Sequence, residues 1–442
     1  MPASAPHDLD RVFREEHGRV IATLTRRFGD LDIAEEAAQE AYLIALQRWP
    51  ESGLPPNPGA WLTTTAQNRA IDRIRRESTR DTRQVQAAMM TDNSDSDETV
   101  SSVVDDRLRL MFTCCHPALA TSAQIALTLR LLGGLTVAEI ASAFFVDEAA
   151  MAKRLTRSKQ KIKAARIPYR VPPDAELPGR IRGVLATLFL VFNEGYLPSN
   201  PTPDVGESTG DRSSENRRAP TESGPQTAGS AGTSIRTDLC AEAIRLTRTL
   251  ATLMPDEPEV LGLLALMLLT DARRSSRVAD GALVTLPEQD RSRWDPALIA
   301  EGHAIVRACL RRGRPGRYQI LAAINAVHTD AGSIEETDWG QVVALYDQLL
   351  AVDPTPVVAL NRAIAIAELD GPAAALAILD GLQLERYHAY QAARADLLRR
   401  TGSIPAAVAA YQQAIELASN PAEQVFLVSR LEQLTAPATD EV

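Results

Sequence analysis

Along almost its whole length this sequence sets apolar residues three and four positions apart, the spacing of amphipathic helices. Nowhere do several β-branched runs alternate with turn signals, so the fold class is all-α. The helical pattern holds from Leu9 to about Arg80, with a turn at FGDLD and a break at PESGLPPNPG. Periodicity is then lost over residues 81–106, a polar and acidic stretch containing TDNSDSDETVSSVVDD, which reads as a linker. A second helical block runs from Arg107 to Arg166 and ends at the proline-rich IPYRVPPDAELPG. A third, long helical region extends from about Asp174 to Thr435. It is interrupted at residues 200–234, where the Pro, Gly, Ser and Thr content cannot build a core and a disordered insertion is expected. A chain of 442 residues exceeds one compact core. The expected division is 1–80, the linker 81–106, 107–167, and a helical extension over 168–442.

Composition removes several function classes. No run of eighteen apolar residues is present, and the beginning MPASAPHDLDRVFREEHG lacks the apolar core of a signal peptide, so no membrane span is expected and a cytoplasmic location is. The four cysteines, Cys114, Cys115, Cys240 and Cys309, imply no disulfide framework. Cys114, Cys115 and His116 lack the CxxC spacing and the second Cys/His pair of a tetrahedral site, so they are expected to pack rather than bind metal. No nucleophile with a partner base and no glycine-rich phosphate loop can be named, so neither an enzyme nor a cofactor is expected.

Against a formal net charge of −10 stands the basic stretch LTVAEIASAFFVDEAAMAKRLTRSKQKIK, Leu135 to Lys163. Thr136 can cap a short helix over Val137 to Ala143, and Asp147 a longer one from Glu148 to about Ala164. Two helices joined by so few residues make a helix-turn-helix, here with Phe145 at a turn position where glycine is frequent. On the second helix Met151, Leu155, Ser158 and Ile162 form a packing stripe, while Lys153, Arg154, Arg157, Gln160 and Lys161 lie opposite. Glu148 and the small Ala149 and Ala150 open its N-terminal half, the part that reaches base edges in a recognition helix.

Two upstream helices carry different surfaces. In DLDIAEEAAQEAYLIALQRW, capped by Asp32, the residues Glu35, Glu36, Gln39, Leu43 and Leu46 share a face. Leucines among carboxylates point to a protein partner, since the carboxylates would repel nucleic acid. In WLTTTAQNRAIDRIRR, opened by Asn57-Pro58, the residues Leu62, Ala66, Ala70, Ile71 and Ile74 cluster opposite Trp61, Thr65, Asn68, Asp72, Arg75 and Arg76, with Arg69 beside them. Aromatic, amide and guanidinium groups together suit unstacked bases and a phosphate backbone. Periodicity alone places Trp61 equally well in the core or on that face.

These stretches resemble a known family. DLDIAEEAAQEAYLIALQRW followed by NPGAWLTTTAQNRAIDRIRR is similar to region 2 of the sigma-70 superfamily, and LTVAEIASAFFVDEAAMAKRLTRSKQKI to its region 4. The arrangement without an intervening region 3 resembles the extracytoplasmic-function sigma factors. FTCCHPAL, VFNEGYLPS and LLTDARRSSRV resemble the subgroup with a long tetratricopeptide-like extension. The resemblance implies a promoter-specificity subunit with core RNA polymerase and promoter DNA as partners. It assigns Asp32, Glu35, Glu36, Gln39, Leu43 and Leu46 to the polymerase. It assigns Trp61, Thr65, Asn68, Arg69, Asp72, Arg75 and Arg76 to the melted −10 element, and Glu148, Ala149, Ala150, Lys153, Arg154, Arg157 and Lys161 to the −35 duplex. The acidic linker is then either a nucleic-acid mimic or a flexible spacer. The competing class is an autonomous helix-turn-helix regulator with a sensor domain, which would have no use for the acidic-leucine and Trp-Arg helices.

The extension carries an internal echo near 338–436. LYDQLLAVDPTPV and AYQQAIELASNPAE match in aromatic, apolar and proline positions, and Tyr346 and Tyr411 lie close to two periods of a roughly 34-residue tetratricopeptide repeat apart. New helices are expected after Gly371 and Gly402. Such repeats would regulate through a protein or ligand. Phe192, Asn193, Glu194, Gly195 and Tyr196, with Arg273 and Arg274, are expected at an interdomain contact in which Arg273 or Arg274 pairs with Glu194.

Overall fold

The computed structural model describes residues 6–78, 101–144, 146–196, 229–279, 282–418 and 420–435. Most of the expected linker (81–100), most of the expected insertion (200–228) and the turn residue Phe145 lie outside them. The chain divides into two compact units, with the boundaries near Val191 and Leu246.

The first unit is built from α1 (Pro6–Phe28), α2 (Leu31–Ser52), α3 (Pro58–Ser78), α4 (Ser101–Cys114), α5 (Thr121–Leu131), α6 (Val137–Ala143) and α7 (Glu148–Ala164), joined by most of α8 (Leu177–Tyr196) and the first part of α9 (Gly229–Leu253). Asp30, rather than Asp32, caps α2: its Oδ1 accepts from the amides of Asp32 and Ile33 at 2.8 and 3.2 Å. The cap thus falls two residues earlier than expected, and Asp32 is left exposed in the first turn. Asn57 caps α3 through Oδ1 and the Ala60 amide, 3.0 Å, with Pro58 as its first residue. Alanines let α2 approach its neighbours closely: Ala34, Ala38, Ala41 and Ala45 are buried, as are Leu62, Ala66 and Ala70 of α3.

Two segments read from composition as unstructured are in part helical. α4 begins at Ser101, so residues 101–106 belong to it and not to the linker. The reason lies in Asp106, whose fully buried carboxylate is held by Arg26 of α1 at 2.9 Å and Arg109 at 3.2 Å. α9 begins at Gly229, inside the expected insertion. The extension expected from residue 168 also contributes to the first unit. Arg180 donates to the Phe112 carbonyl at 2.5 Å, Thr187 to Gln124 at 3.1 Å, and Arg245 to the Leu132 carbonyl at 3.1 Å.

In the second unit α10 (Pro258–Asp271) is followed by a two-residue antiparallel pair, β1 (Val278–Ala279) and β2 (Ala282–Leu283). Then come α11 (Pro296–Arg312), α12 (Arg317–Asp330), α13 (Trp339–Val352), α14 (Pro356–Leu369), α15 (Pro372–Leu379), α16 (His388–Arg400), α17 (Ile404–Leu417) and α18 (Pro421–Thr435). The two halves of the sequence echo fall on equivalent pieces, α13 and α17, each followed by a helix that starts on proline. Gly371 (φ 92°) and Gly402 (φ 80°) turn the chain before α15 and α17 in a backbone region that costs other residues strain. Successive helices from α12 to α18 pack on one another, and α18 returns to touch β2, with Arg430 paired to Glu288.

Where α1 crosses the end of α5 the backbones nearly touch. A Cβ on Gly18 would lie 2.9 Å from the Leu132 carbonyl oxygen, and Gly134, at φ 75°, lies against the His17 side chain. His17 is buried between them. Its Nε2–H donates to the Arg130 carbonyl at 3.1 Å, and in the neutral ring its Nδ1 accepts from the Tyr42 hydroxyl at 3.0 Å. Burial first, and the Arg130 charge second, push its pKa down to about 4. Because the folded pKa lies below the unfolded one, the unfolded chain binds the proton first, and stability is lost as pH falls from about 6.5 toward 4. The His17 contribution should fall by about 2 kcal/mol between pH 7 and pH 5. Urea unfolding of the wild type and His17→Gln at both pH values checks this: the variant should lose that part of the pH dependence, and identical slopes would refute it.

Candidate nucleic-acid interface

The two-helix element expected around α7 is present. Thr136 accepts from the Glu139 amide at 3.1 Å while Glu139 accepts from the Thr136 amide at 2.7 Å, a capping box that starts α6. Asp147 accepts from the Ala150 amide at 3.1 Å and starts α7. Met151, Leu155, Ser158 and Ile162 are all buried, the stripe read from the sequence. On the opposite side Glu148, Ala149, Ala150, Lys153, Arg157 and Lys161 are exposed and Arg154 is half-buried. Among the described residues no carboxylate lies within ion-pair distance of Lys153, Arg154, Arg157 or Lys161. Four cations on one helical face are thus left to solvent or an external polyanion.

Lys159, assigned to neither face in the sequence reading, is the exception. It turns sideways toward α2 and donates to Glu35 and Asp32, each at 2.7 Å. Glu35 is also paired with Arg130 of α5, and Arg14 of α1 reaches Glu139 of α6 at 3.2 Å. Burial raises the Glu35 pKa, but Arg130 and then Lys159 outweigh it and hold the carboxyl below its usual range. Lys159 responds in kind: burial lowers its pKa, and Glu35 and Asp32 bring it above its ordinary value. One signal was available in the sequence. Lys159 follows Leu155 by four and precedes Ile162 by three, so it flanks the packed stripe.

The residues expected to face a protein partner therefore separate. Leu43 and Leu46 are exposed by 60% and 45%, with Gln39 exposed beside them. Glu36 is paired with Arg73 of α3. Glu35, by contrast, is only 7% exposed and sits beneath α5 and α7. On α3, Asn68, Arg69, Asp72, Arg75 and Arg76 are exposed, and Thr65 is half-buried. Trp61 takes both of its alternatives: half-buried, it meets the buried Trp49 edge-on at 5.2 Å between centroids, which leaves part of the ring to solvent.

In the second unit Phe192 stacks on Tyr196 at 5.6 Å, and Asn193, Glu194 and Gly195 are half-buried. Arg273 bonds to Asn325 at 2.8 Å and Arg274 pairs with Asp271. Cys114 and Cys115 are buried thiols, Cys115 3.6 Å from the Thr128 hydroxyl. His116 serves its own turn by accepting from the Ala118 amide at 3.1 Å. Among the described residues no group of His, Cys, Asp and Glu could hold a metal ion, and no helix is long and apolar enough to cross a membrane.

Comparison with known proteins agrees with this geometry. A family profile described as Sigma-70 region 2 matches residues 12–80, and one described as Sigma-70, region 4 matches residues 109–162. The chain belongs to the extracytoplasmic-function sigma-70 factors. It is similar to an uncharacterized protein of Rhizobium meliloti, 40% identical over 98% of this chain and 97% of that one. It is also similar to the ECF RNA polymerase sigma factor SigK of Mycolicibacterium vanbaalenii, 29% identical over 32% of this chain and 74% of SigK. The SigK of Mycobacterium tuberculosis is 30% identical over 31% and 83%. A family of unknown function matches residues 224–310. This sigma factor is thus a transcription-initiation protein and not an enzyme, and its family implies core RNA polymerase and promoter DNA as partners. Region 2 corresponds to α1–α3 and region 4 to α4–α7.

Removing the carboxylate between Arg130 and Lys159 leaves the enclosed Arg130 without its ion-pair partner and Lys159 with the exposed Asp32 alone. Glu35→Ala should cost about 3 kcal/mol. The exposed Glu36–Arg73 pair is worth about 0.5 kcal/mol. Chemical denaturation of Glu35→Ala and Glu36→Ala measures the difference, and equal losses would show that Glu35 does not hold regions 2 and 4 together.

Proposed function

We propose that region 4 reads the −35 element as duplex through α7, that α3 of region 2 binds the melted −10 element, and that the Leu43–Leu46 side of α2 takes the polymerase. The observation that carries this reading is the exposed face of α7, where no carboxylate among the described residues lies within ion-pair distance of Lys153, Arg154, Arg157 or Lys161. Cations left bare on a recognition helix are matched by phosphates and by guanine edges. The half-exposed Trp61 among Arg69, Arg75 and Arg76 supplies a stacking surface with neutralising charge for single-stranded bases. The helix pairs of the second unit are read as tetratricopeptide-like repeats through which a protein or ligand regulates activity.

A second reading, of state, is favoured by the Glu35 network. The two promoter elements are about 25 base pairs apart, or about 85 Å of duplex at 3.4 Å per pair. α7, at 1.5 Å per residue, is about 25 Å long and is clasped to α2 through Lys159. We read the clasped arrangement as too short to reach both elements at once, and as a resting form that opens on assembly.

Transcription from the cognate promoter with purified core polymerase tests the first reading. Lys153→Ala and Arg154→Ala should each reduce promoter use by about tenfold or more, as base contacts are worth about 1–3 kcal/mol, while polymerase binding persists. Leu43→Asp should abolish polymerase binding with unfolding unchanged. Loss of polymerase binding in the α7 variants, or its retention in Leu43→Asp, would overturn the assignments. The second reading predicts that fluorophores on Arg75→Cys and Lys161→Cys, one on each helix, move apart when polymerase is added. An unchanged transfer efficiency would reject it.

A further inference from the structure

Between α10 and α11 of the second unit the chain runs through short 3₁₀ turns at Arg274–Ser276 and Arg291–Arg293 on either side of the β1–β2 pair. This segment gathers three guanidinium groups around two aromatic rings. Arg291 lies 4.6 Å over the Trp294 ring and Arg273 6.0 Å from the same centroid, while Arg277 lies 4.6 Å over Tyr196. The platform is fixed, because Trp294 is buried and its indole N–H donates to the Ser276 hydroxyl at 2.8 Å.

The hydrogen bonds that hold Arg273 and Arg291 go to neutral groups, while Glu335 and Glu336 act on Arg291 from beyond ion-pair distance. Arg273 donates to the Asn325 side-chain oxygen at 2.8 Å, and Arg291 to the carbonyls of His328 and Ala331 at 2.7 and 2.6 Å. Their neighbour Arg274 has its carboxylate in Asp271. No carboxylate among the described residues lies within ion-pair distance of Arg273, Arg277 or Arg291. Moreover the Nε of Arg273, the Nε of Arg277, the Nη2 of Arg291, the Nδ1 of His328 and the Tyr196 hydroxyl are shielded from solvent without a hydrogen-bond partner. Burial chiefly lowers the Arg273 pKa, and the charges of Arg277 and Arg291 add to it against a contribution from Tyr196. Burial, then Arg273 and Arg291, push His328 down to about 4, so at neutral pH its ring is uncharged.

Buried donors are ordinarily satisfied and buried charges ordinarily paired, so a cluster of like charges with shielded idle donors is incomplete as it stands. We propose that Arg273, Arg277 and Arg291 form a binding site for a phosphate-type oxyanion, with Tyr196 and His328 at its edge. Phosphate fits better than a single carboxylate because it brings nearly two negative charges at pH 7 and several acceptor oxygens to three forked donors. Arginine, planar and always charged, is the residue suited to such recognition. The oxyanion is either free inorganic phosphate or the phosphate of a small phosphorylated metabolite. Either would make the second unit responsive to a ligand without reference to promoter or polymerase.

The test uses the full chain alone, so its failure leaves the promoter assignments untouched. Calorimetric titration and thermal unfolding are run with inorganic phosphate and with glycerol 3-phosphate, against chloride at matched ionic strength. A saturable rise in Tm with phosphate or with the monoester, absent with chloride, is expected. Tighter binding of the monoester assigns the site to a metabolite, and equal or tighter binding of inorganic phosphate assigns it to the free ion. Arg277→Gln should weaken binding at least tenfold while leaving the ligand-free Tm unchanged or higher, since it removes a like charge. A purely structural arginine would instead lower that Tm. Arg277→Lys, which keeps the charge but not the fork, should also weaken binding, and Arg274→Gln should retain it. Absence of saturable binding in the wild type, or wild-type affinity in both Arg277 variants, overturns the proposal.

Discussion

The arrangement of the first unit depends on one carboxylate. Glu35 reaches from α2 into the space between α5 and α7, where Arg130 and Lys159 both contact it. Stripping water from a carboxylate is expensive, and two cations with aligned donors are what make the position tenable. In return the contact fixes rotation as well as distance. With Lys159 drawn inward, the turn of the helix sends Lys153, Arg157 and Lys161 outward. The exposed basic face of region 4 is therefore oriented by a residue of region 2. His17 reinforces the same junction from α1, through a neutral ring that matches one donor and one acceptor.

The charge of the chain then has a simple partition. Its carboxylates include several engaged internally, such as Asp106 with Arg26 and Arg109, and Glu35 with its two cations. On α7, by contrast, Lys153, Arg154, Arg157 and Lys161 have no carboxylate within ion-pair distance among the described residues, while Lys159 and Lys163 are paired to Glu35, Asp32 and Asp30. A formal charge of −10 coexists with an exposed basic face because net charge describes the whole chain, whereas an ion within a Debye length senses the nearest face.

Much of this was legible in the sequence where the signal is local. The α7 stripe, its exposed basic side, the Thr136 and Asp147 caps and the Asn57-Pro58 start follow from spacing and capping chemistry over a few residues, and all are present. What was not legible depends on long-range partners. Glu35 reads like its neighbour Glu36, yet one is enclosed by residues 95 and 124 positions away and the other faces solvent beside Arg73. Asp106 looks like the end of an acidic linker until Arg26, from another helix, is brought beside it. Likewise DARR offered Arg273 and Arg274, but nothing in its spacing announced Arg291, Trp294 and His328 as companions.

The return of α18 to β2, with Arg430 on Glu288, has a consequence for how the second unit comes apart. In an open solenoid each repeat touches only its neighbours, and melting proceeds inward from exposed ends as in a one-dimensional chain. Here α18 is tied to the β1–β2 segment that follows α10, so among the described residues the array closes back on itself. Its helices are coupled in a circuit. Loss of the α18 contact converts the circuit into a line and allows sequential unravelling, and the entropy of closing that long loop links the two ends of the unit.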